Sequence, residues 1–425
     1  MLDDEDERDE RAPLASDGAI DASEPLTHAE ASAPPRGCAA RVAHVFSPSR
    51  MLRAGEVSGA LGDLGTFLPD VVALATSVRA PNIPVASFVF FSGAWSCWAG
   101  VLFDIPIPIQ PMHTVVAVCL TEGLSYGALV ASGVWLGAGL LLLGGTGLVD
   151  AFQAVVPLPC VRGLQLGLGL KVLGAGIALV LKSRGALFTG APNGDGMAAA
   201  ALSALLAVAT YGRTYSCLLL FGLGALGVVL ARPGLEWGGG WPLAPVPAIT
   251  REDWLDGLTR AALPQLPVTL LNSVVATARL SQDLHPQRPA AVHKIAISVG
   301  FMDLTSAWFG HFPSCHGAGG LAGQHSFGAR TGSSMALMGL LKMGLALSLG
   351  DSLLPAFTAF PSAVLGVLLA VGGIELAVPC RDITARDDMV LMLLGAGCVL
   401  KLGTGLAFIV SVVAAAAMRL RSVLE

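Results

Sequence analysis

Two short stretches place hydrogen-bond donors inside otherwise apolar sequence, and their residue types suit the chemistry of holding an anion. In DIPIPIQPMHTVVAVC (104–119), Gln110 stands among three prolines and Met112, His113 and Thr114 follow them. In FGHFPSCHGAGGLAGQHSFGAR (309–330), Ser314, Cys315, His316, Gly317 and Gly319 follow Pro313. Proline lacks the backbone N–H and clashes with the preceding turn, so each stretch must interrupt a helix and start another. Ser314 offers a capping hydroxyl, and the glycines allow close approach of the backbone to another group. A helix that starts at mid-membrane presents free N–H groups and the positive end of its dipole. Lipid cannot satisfy those donors, so they face protein, water or a ligand, and an anion is their natural partner. The expected half-helices cover 108–121 and 314–328. A lone histidine often only packs and hydrogen-bonds, but His113 and His316 stand at corresponding breaks, which favours a role in the site.

Two further stretches supply polar groups. GALGDLGTFLPD (59–70) sets Asp63 and Thr66 among glycines that permit close helix packing, with Pro69 breaking the helix. Asp63 and Thr66 are assigned a site-lining or ion-coupling role, against the plainer reading of Asp63 as a carboxylate that caps a neighbouring helix. ALPQLPVTLLNS (262–273) contributes Gln265 and Asn272, seven residues apart and so on one helix face. Neutral amides suit an oxyanion that must also be released, although such residues also serve as interhelical hydrogen-bonding groups. Glu56, Arg162, Lys171, Arg260, Asp303, Lys342 and Glu375 fall in or near apolar runs, where ionisable groups are costly and mark function or ion pairs. Glu56 and Arg260 are expected to pair near helix ends.

Other chemistries lack their residues. There is no HExxH and no GxxxxGK[ST], which argues against an intramembrane metalloenzyme and against a nucleotide-driven step. The eight cysteines include no CxxC pair and most sit in apolar runs, so neither a metal nor a disulfide framework nor a cofactor is expected.

The elements that position these residues follow from composition. The chain is 54% hydrophobic and only 13% charged, with 52 glycines and a mean hydropathy of +0.69. A soluble domain has about a quarter of its residues charged. Uncharged runs of bilayer-spanning length, about 20 residues, recur at 80–103, 123–149 and 352–374. The fold class is therefore an all-α polytopic membrane protein, with the lipid bilayer as its partner and no nucleic acid. Seven segments are counted in each half: 56–78, 82–102, 108–121, 124–147, 156–181, 197–212 and 214–231, then 258–280, 291–309, 314–328, 333–350, 353–377, 387–400 and 402–419. APNGDG (191–196) and the Pro/Trp/Gly-rich 232–253 read as connectors. The domain reading is an acidic disordered tail (1–50), a first repeat (51–231), a connector (232–253) and a second repeat (254–425).

The halves are weakly similar at an offset of about 203, judged by His113 and His316. An odd number of spans per half inverts the second repeat relative to the first. Broken helices at corresponding places in inverted halves point to a transporter's midplane site. Residues 1–36 hold eleven Asp/Glu against three Arg, a local charge of −8, which leaves +3 for the rest of a chain with net charge −5. They contain no apolar stretch typical of a secretory signal. Twelve loop Lys/Arg on the side of the N-terminus against six on the other predict cytoplasmic termini.

At GALGDLGTFLPD, PIPIQPMHTVVAV, LPQLPVTLLNSVVATARLSQDL and FPSCHGAGGLAGQHSFGART the sequence resembles the MOT-type molybdate transporter family, a branch of the SulP sulfate-permease superfamily. The resemblance runs from about residue 53 to 420. It implies a uracil-permease-like fold of seven plus seven inverted helices, with substrate between half-helices three and ten. It also implies molybdate as substrate, with tungstate or sulfate as relatives in shape, and is compatible with a homodimer. Unlike many SulP relatives, this sequence ends about six residues after its last expected span, without a soluble C-terminal domain. The residues alone leave sulfate, another tetrahedral oxyanion or an anion channel open. A nucleobase–cation symporter of the same fold would want carboxylates where Gln265, Asn272, Ser314 and His316 stand.

Overall fold

The computed structural model describes residues 35, 37–76, 83–121, 123–182, 196–210, 215–232, 234, 238–239 and 248–424. Two short helices, α1 (Cys38–Val45) and α2 (Pro48–Met51), lead into the first half. There α3 (Ala54–Ala60) runs through a tight turn at Leu61–Asp63 into α4 (Leu64–Thr76), and α5 (Val85–Phe103) follows. Next come strand β1 (Ile109–Pro111), half-helix α6 (His113–Thr121), α7 (Tyr126–Gly145) and α8 (Leu148–Val155). The half closes with α9 (Leu158–Lys182), α10 (Met197–Ala209) and α11 (Ser216–Ala231).

The second half repeats this order. One long span runs from α12 (Arg251–Asp256) through α13 (Leu263–Val268) to α14 (Ala276–Leu284), and α15 (Val292–Ser306) follows. Strand β2 (Ser314–His316) and half-helix α16 (Ala318–Ser326) precede α17 (Gly332–Leu349) and α18 (Leu353–Thr358). Helices α19 (Ser362–Ala377), α20 (Arg386–Leu402) and α21 (Thr404–Leu424) complete it. Seven of the described helical stretches are long and apolar enough to cross a membrane, among them Ala54–Thr76 and Arg251–Leu284. The architecture is the expected 7+7 inverted repeat with two broken helices.

Prolines set the breaks. Pro106, Pro108 and Pro111 forbid a helix from residue 105 onward, so the chain runs extended with Ile105, Ile107 and Ile109 fully buried. Extended backbone within a membrane protein needs an internal partner, and the other broken segment supplies it. β1 and β2 pair antiparallel, with Ile109 opposite His316, Gln110 opposite Cys315 and Pro111 opposite Ser314. The Met112 N–H then donates to the Pro313 carbonyl at 2.9 Å. In the long span Pro264 and Pro267 lie in α13, between the wide π-helical turns Gly257–Ala262 and Thr269–Val275. A proline removes one rung of the helix ladder, and π turns commonly absorb such a disturbance near functional sites.

The two halves interlock through close crossings. A Cβ on Gly176 of α9 would sit 2.5 Å from the Gly366 carbonyl oxygen of α19, and one on Gly366 would sit 2.6 Å from that of Gly176. Only glycine permits backbones to touch in this way. Buried ions tie the helix ends. Arg162 of α9 bonds Asp382 through Nε at 3.1 Å and Asp283 of α14 at 2.7 Å. Asp104, the left-handed residue ending α5 (φ 50°), holds Arg50 at 3.2 Å and Arg288 at 2.6 Å.

Three expectations are corrected. The tail does not extend to residue 50: α1 and α2 occupy 38–51 and pack against α5 and α17, while residues 1–34 lie outside the described residues. The connector ends earlier than 253, because Thr250 caps α12 in a reciprocal box with Asp253; residues 191–195 of APNGDG and much of 232–250 lie outside the described residues. The offset at the breaks is 205 (318 − 113 for the half-helices, 314 − 109 for the strands), so His113 corresponds to Ala318 and not to His316.

Candidate functional site

The repeat-related ends of the first and eighth spans perform matching tasks. Glu56 of α3 accepts the backbone N–H groups of Arg330 (3.2 Å) and Ser334 (3.1 Å), gripping the chain between α16 and α17. Arg260, its counterpart, donates to the Gly123 carbonyl (3.1 Å) just after α6 and pairs with Asp256 at 3.0 Å. Each residue thus pairs near a helix end, as expected, and fixes the far end of a half-helix. The near ends are fixed by the strand pair. Both half-helices are thereby held at their two ends, and their N-termini emerge from one short ribbon.

At that ribbon Gln110 is the central side chain. Its Nε2 donates to Asp63 Oδ1 at 2.5 Å and to the Thr66 hydroxyl, and the Thr66 hydroxyl reaches the same carboxylate oxygen at 2.7 Å. Gly317 and Gly320 of the second half close over this group: a Cβ on Gly317 would lie 2.5 Å from Gln110 Cδ, and one on Gly320 would lie 2.5 Å from Asp63 Oδ1 and 2.6 Å from Pro108 Cγ. Asp63 Oδ2 is buried and takes no hydrogen bond among the described residues. Lys342 of α17 lies within electrostatic reach of Asp63 without pairing with it. Its Nζ donates to Ser92 at 3.2 Å and rests 3.7 Å from the centre of the Phe67 ring.

The start of α16 differs from expectation. Ser314 lies in β2, its hydroxyl turned back to the Phe312 carbonyl (2.7 Å) and its N–H bonded to Asp303 (2.9 Å), so it caps nothing. The helix begins at Ala318, with Gly317 as its N-cap and no side-chain cap. The N–H groups of its first turn therefore have no partner within the helix. A Cβ at Gly319 would meet only Leu376 Cδ2, at 3.8 Å, so this face of the first turn is open.

The start of α6 is polar. His113 is 65% exposed at its side chain and pairs with Asp70 of α4 at 3.0 Å. Lys171 of α9, also exposed, lies close enough to His113 to act on it electrostatically. Thr114 begins the same turn, but its side chain lies outside the described residues. On the other flank the π turn Thr269–Val275 approaches the strands. Thr269 donates to the Met112 sulfur (3.7 Å) and accepts from Gln265 (2.8 Å), while Ser273 bonds Cys315 at 2.9 Å. Asn272, in the same turn, is half-buried.

Gln110, Asp63 and Thr66 thus form one hydrogen-bonded group that Gly317 closes over, with Cys315 opposite Gln110 in the ribbon and Gln265 linked to Met112 through Thr269. His316 stands apart. It is fully buried, its Nδ1 3.2 Å from the Pro108 carbonyl and its Nε2 3.0 Å from Ser298, with Phe103 edge-on to the ring. It braces the extended segment from behind. The sequence did not single out Asp70, Thr269 or Ser298, and it marked Gly320 only as one of several glycines that allow close approach. The GAGG spacing placed Gly320 one turn from Gly317, and Asp70 closed a quoted motif; the other two carried no local signal.

The family model described as "Molybdate transporter of MFS superfamily" matches residues 55–172 and 257–376. These are the two repeats through their broken helices. The chain belongs to this family of molybdate transporters. It is 35% identical to molybdate transporter 2 of Arabidopsis thaliana over 80% of this chain and 82% of that protein. Molybdate transporter 1 of Chlamydomonas reinhardtii is 31% identical over 85% and 91%. Among solved structures it resembles the transmembrane domain of the cyanobacterial bicarbonate transporter BicA (TM-score 0.53, 15% identity, 85% of this chain and 96% of that one). It also resembles the murine Slc26a9 anion transporter in the inward-facing state (TM-score 0.56, 14% identity, 87% and 68%). The fold of this family member departs from the superfamily word in the family's description. MFS proteins join two six-helix halves, whereas here seven segments per half surround a strand pair.

Proposed function

We propose that this chain is a secondary carrier of molybdate, working by alternating access, with the anion held in front of the β1–β2 ribbon between the N-termini of α6 and α16. The observation that carries this reading is the uncapped, open first turn of α16 beside the His113 end of α6. Each helix start supplies about half a positive charge, and the backbone N–H groups point at the ligand. His113 and Lys171 add donors from the other side. Such fixed partial charges hold a dianion without a fully desolvated ion pair that would resist release. Resemblance to named molybdate transporters supports the substrate, since helix dipoles alone serve any tetrahedral oxyanion.

Asp63 gives this reading a coupling device. A carboxylate beside a dianion site repels the substrate unless it takes up a cation, and a proton bound at Asp63 removes that repulsion. The Lys342 charge moderates the same site from α17. The protein thus carries rather than chemically transforms its ligand, in a multi-pass membrane setting with both termini on the cytoplasmic side. The test is uptake of labelled molybdate by purified protein in ATP-free liposomes, with tungstate and sulfate as competitors. Saturable, tungstate-sensitive uptake is expected. Strict dependence on ATP, or non-saturating flux, would overturn the carrier reading, and stronger competition by sulfate would overturn the substrate.

A further inference from the structure

The helices pack in two layers, and one buried guanidinium joins them. In the first layer α9 crosses α19 and α20: a Cβ on Gly169 would lie 2.6 Å from the Gly373 carbonyl oxygen, and one on Gly163 would lie 2.7 Å from that of Met392. In the second, α5 crosses α17 and α7 crosses α15. There a Cβ on Gly93 would lie 2.6 Å from the Gly339 carbonyl oxygen, and one on Gly137 would lie 2.8 Å from that of Gly300. The long span that ends in α14 joins the second layer where Gly257 touches α7. Each layer draws helices from both halves, and backbones packed this closely yield little. The proposed anion site falls in the seam between the layers. Gly319 of α16 faces Leu376 of α19 there, and His113 of α6 faces Lys171 of α9.

The seam is open at His113, whose side chain is exposed although α4 and α9 flank it. Nearer the start of α9 it is shut. Arg162 is buried there, and its Nη1 donates to Asp283 Oδ2 at 2.7 Å while Nε and Nη2 take Asp382 at 3.1 and 2.5 Å. Asp382 follows α19, in the same layer as Arg162, whereas Asp283 belongs to α14 in the other. Gln165 accepts from Arg162 at 2.8 Å and crosses the same seam to the Ala276 carbonyl at 3.4 Å. This closed end lies on the side of the described chain ends. Cys160 packs with Met418 of α21, and the turn after α14 carries Arg288 to Asp104, which also holds Arg50 of α2. A buried ion pair that opens must not strand a charge. Here neither ion would be stranded: Arg162 keeps Asp382, and Asp283 keeps Arg279 one turn back on its own helix, at 3.5 Å.

We propose that Arg162 latches the two layers shut on the side of the chain ends, and that its bond to Asp283 breaks, with Asp382 retained, each time that side opens. The latch rests on the alternating-access reading and gives it a named residue pair. The experiment labels purified full-length protein in detergent with a water-soluble maleimide. Two reporters are used in turn, Gln165→Cys at the closed end and His113→Cys at the open one, and peptide masses separate each from the native cysteines. Asp283→Asn should raise the labelling rate of Gln165→Cys about tenfold, as for loss of one hydrogen bond between charged groups, and should lower that of His113→Cys. Asp283→Glu should restore both rates. Arg279→Gln removes the partner that Asp283 needs once the latch opens, so it should act in the opposite sense and slow labelling of Gln165→Cys. Reporters that rise together in Asp283→Asn mean general loosening and would overturn the latch, as would unchanged rates. If Asp283→Asn does not fold, Arg279→Gln decides alone, and labelling of Gln165→Cys that is unchanged or faster would overturn it. Molybdate is absent throughout. Saturable uptake in liposomes with no reciprocal labelling would therefore remove the latch and leave the carrier standing.

Discussion

Gly317 and Gln110 are fitted to each other across the two halves of the protein. The Cβ of any residue at 317 would lie 2.5 Å from Gln110 Cδ, and nearer still to its amide oxygen. Gln110 in turn holds Asp63 and Thr66. Gly317→Val should therefore displace Gln110 and reduce molybdate uptake at least about tenfold, in keeping with the sensitivity of aligned sites to shifts of an ångström. Gly222→Val is the matched control, since no atom lies within 4 Å of its Cβ position. Equal uptake by the two variants at equal surface expression would remove Gln110 from the site.

Neighbouring glycines separate folding from transport. Gly320→Ala drives a methyl into Asp63 and Pro108, and overpacking of this kind destabilises by about 1–3 kcal/mol. Gly319→Ala meets only Leu376 at ordinary contact distance. It should leave thermal stability in detergent near that of the parent while lowering molybdate affinity, because the methyl enters the space proposed for the anion. Normal affinity in Gly319→Ala would place the anion elsewhere.

Asp63→Asn keeps an acceptor for Gln110 but cannot exchange a proton. Uptake should fall, and whatever remains should lose its dependence on external pH. A parallel pH profile at full rate would reject Asp63 as the coupling group.

Lys171→Met tests the His113 side of the proposed site. Its charge faces His113 without a backbone role, so the variant should fold normally and show a Michaelis constant for molybdate raised by about threefold to tenfold, with the maximal rate less affected. An unchanged Michaelis constant at low ionic strength would exclude it.

Glu56→Ala removes the acceptor of two backbone N–H groups between α16 and α17. Loss of stability of about 1–3 kcal/mol is expected from stranding buried donors, read as a lower unfolding temperature. The protein that remains folded should keep its molybdate affinity.

Much of this arrangement was legible in the sequence because prolines and charges are rare in membrane spans and so carry information. Pro106, Pro108, Pro111 and Pro313 located both breaks, and Asp63, Thr66, Gln110 and Gly317 did come together. The strands did not declare themselves, since three residues are too few for a two-residue period to register. That concealment misplaced the start of α16 at Ser314. It also let two histidines, alike only in type, set the offset two residues short. The role of Lys342 could not be read either, since its charge reaches Asp63 from a helix 279 residues further along (342 − 63).

The strand pair also orders events during synthesis. Ile109–Pro111 and its neighbours leave the ribosome some 205 residues before β2 exists to receive their hydrogen bonds. Lipid offers those backbone groups nothing, at several kcal/mol for each one stranded. The first broken segment must therefore wait in a wet or shielded place, at the mouth of the insertion machinery or against its neighbours, until the second arrives. Neither half completes its backbone hydrogen bonds alone, and the ribbon closes only once the second half has arrived.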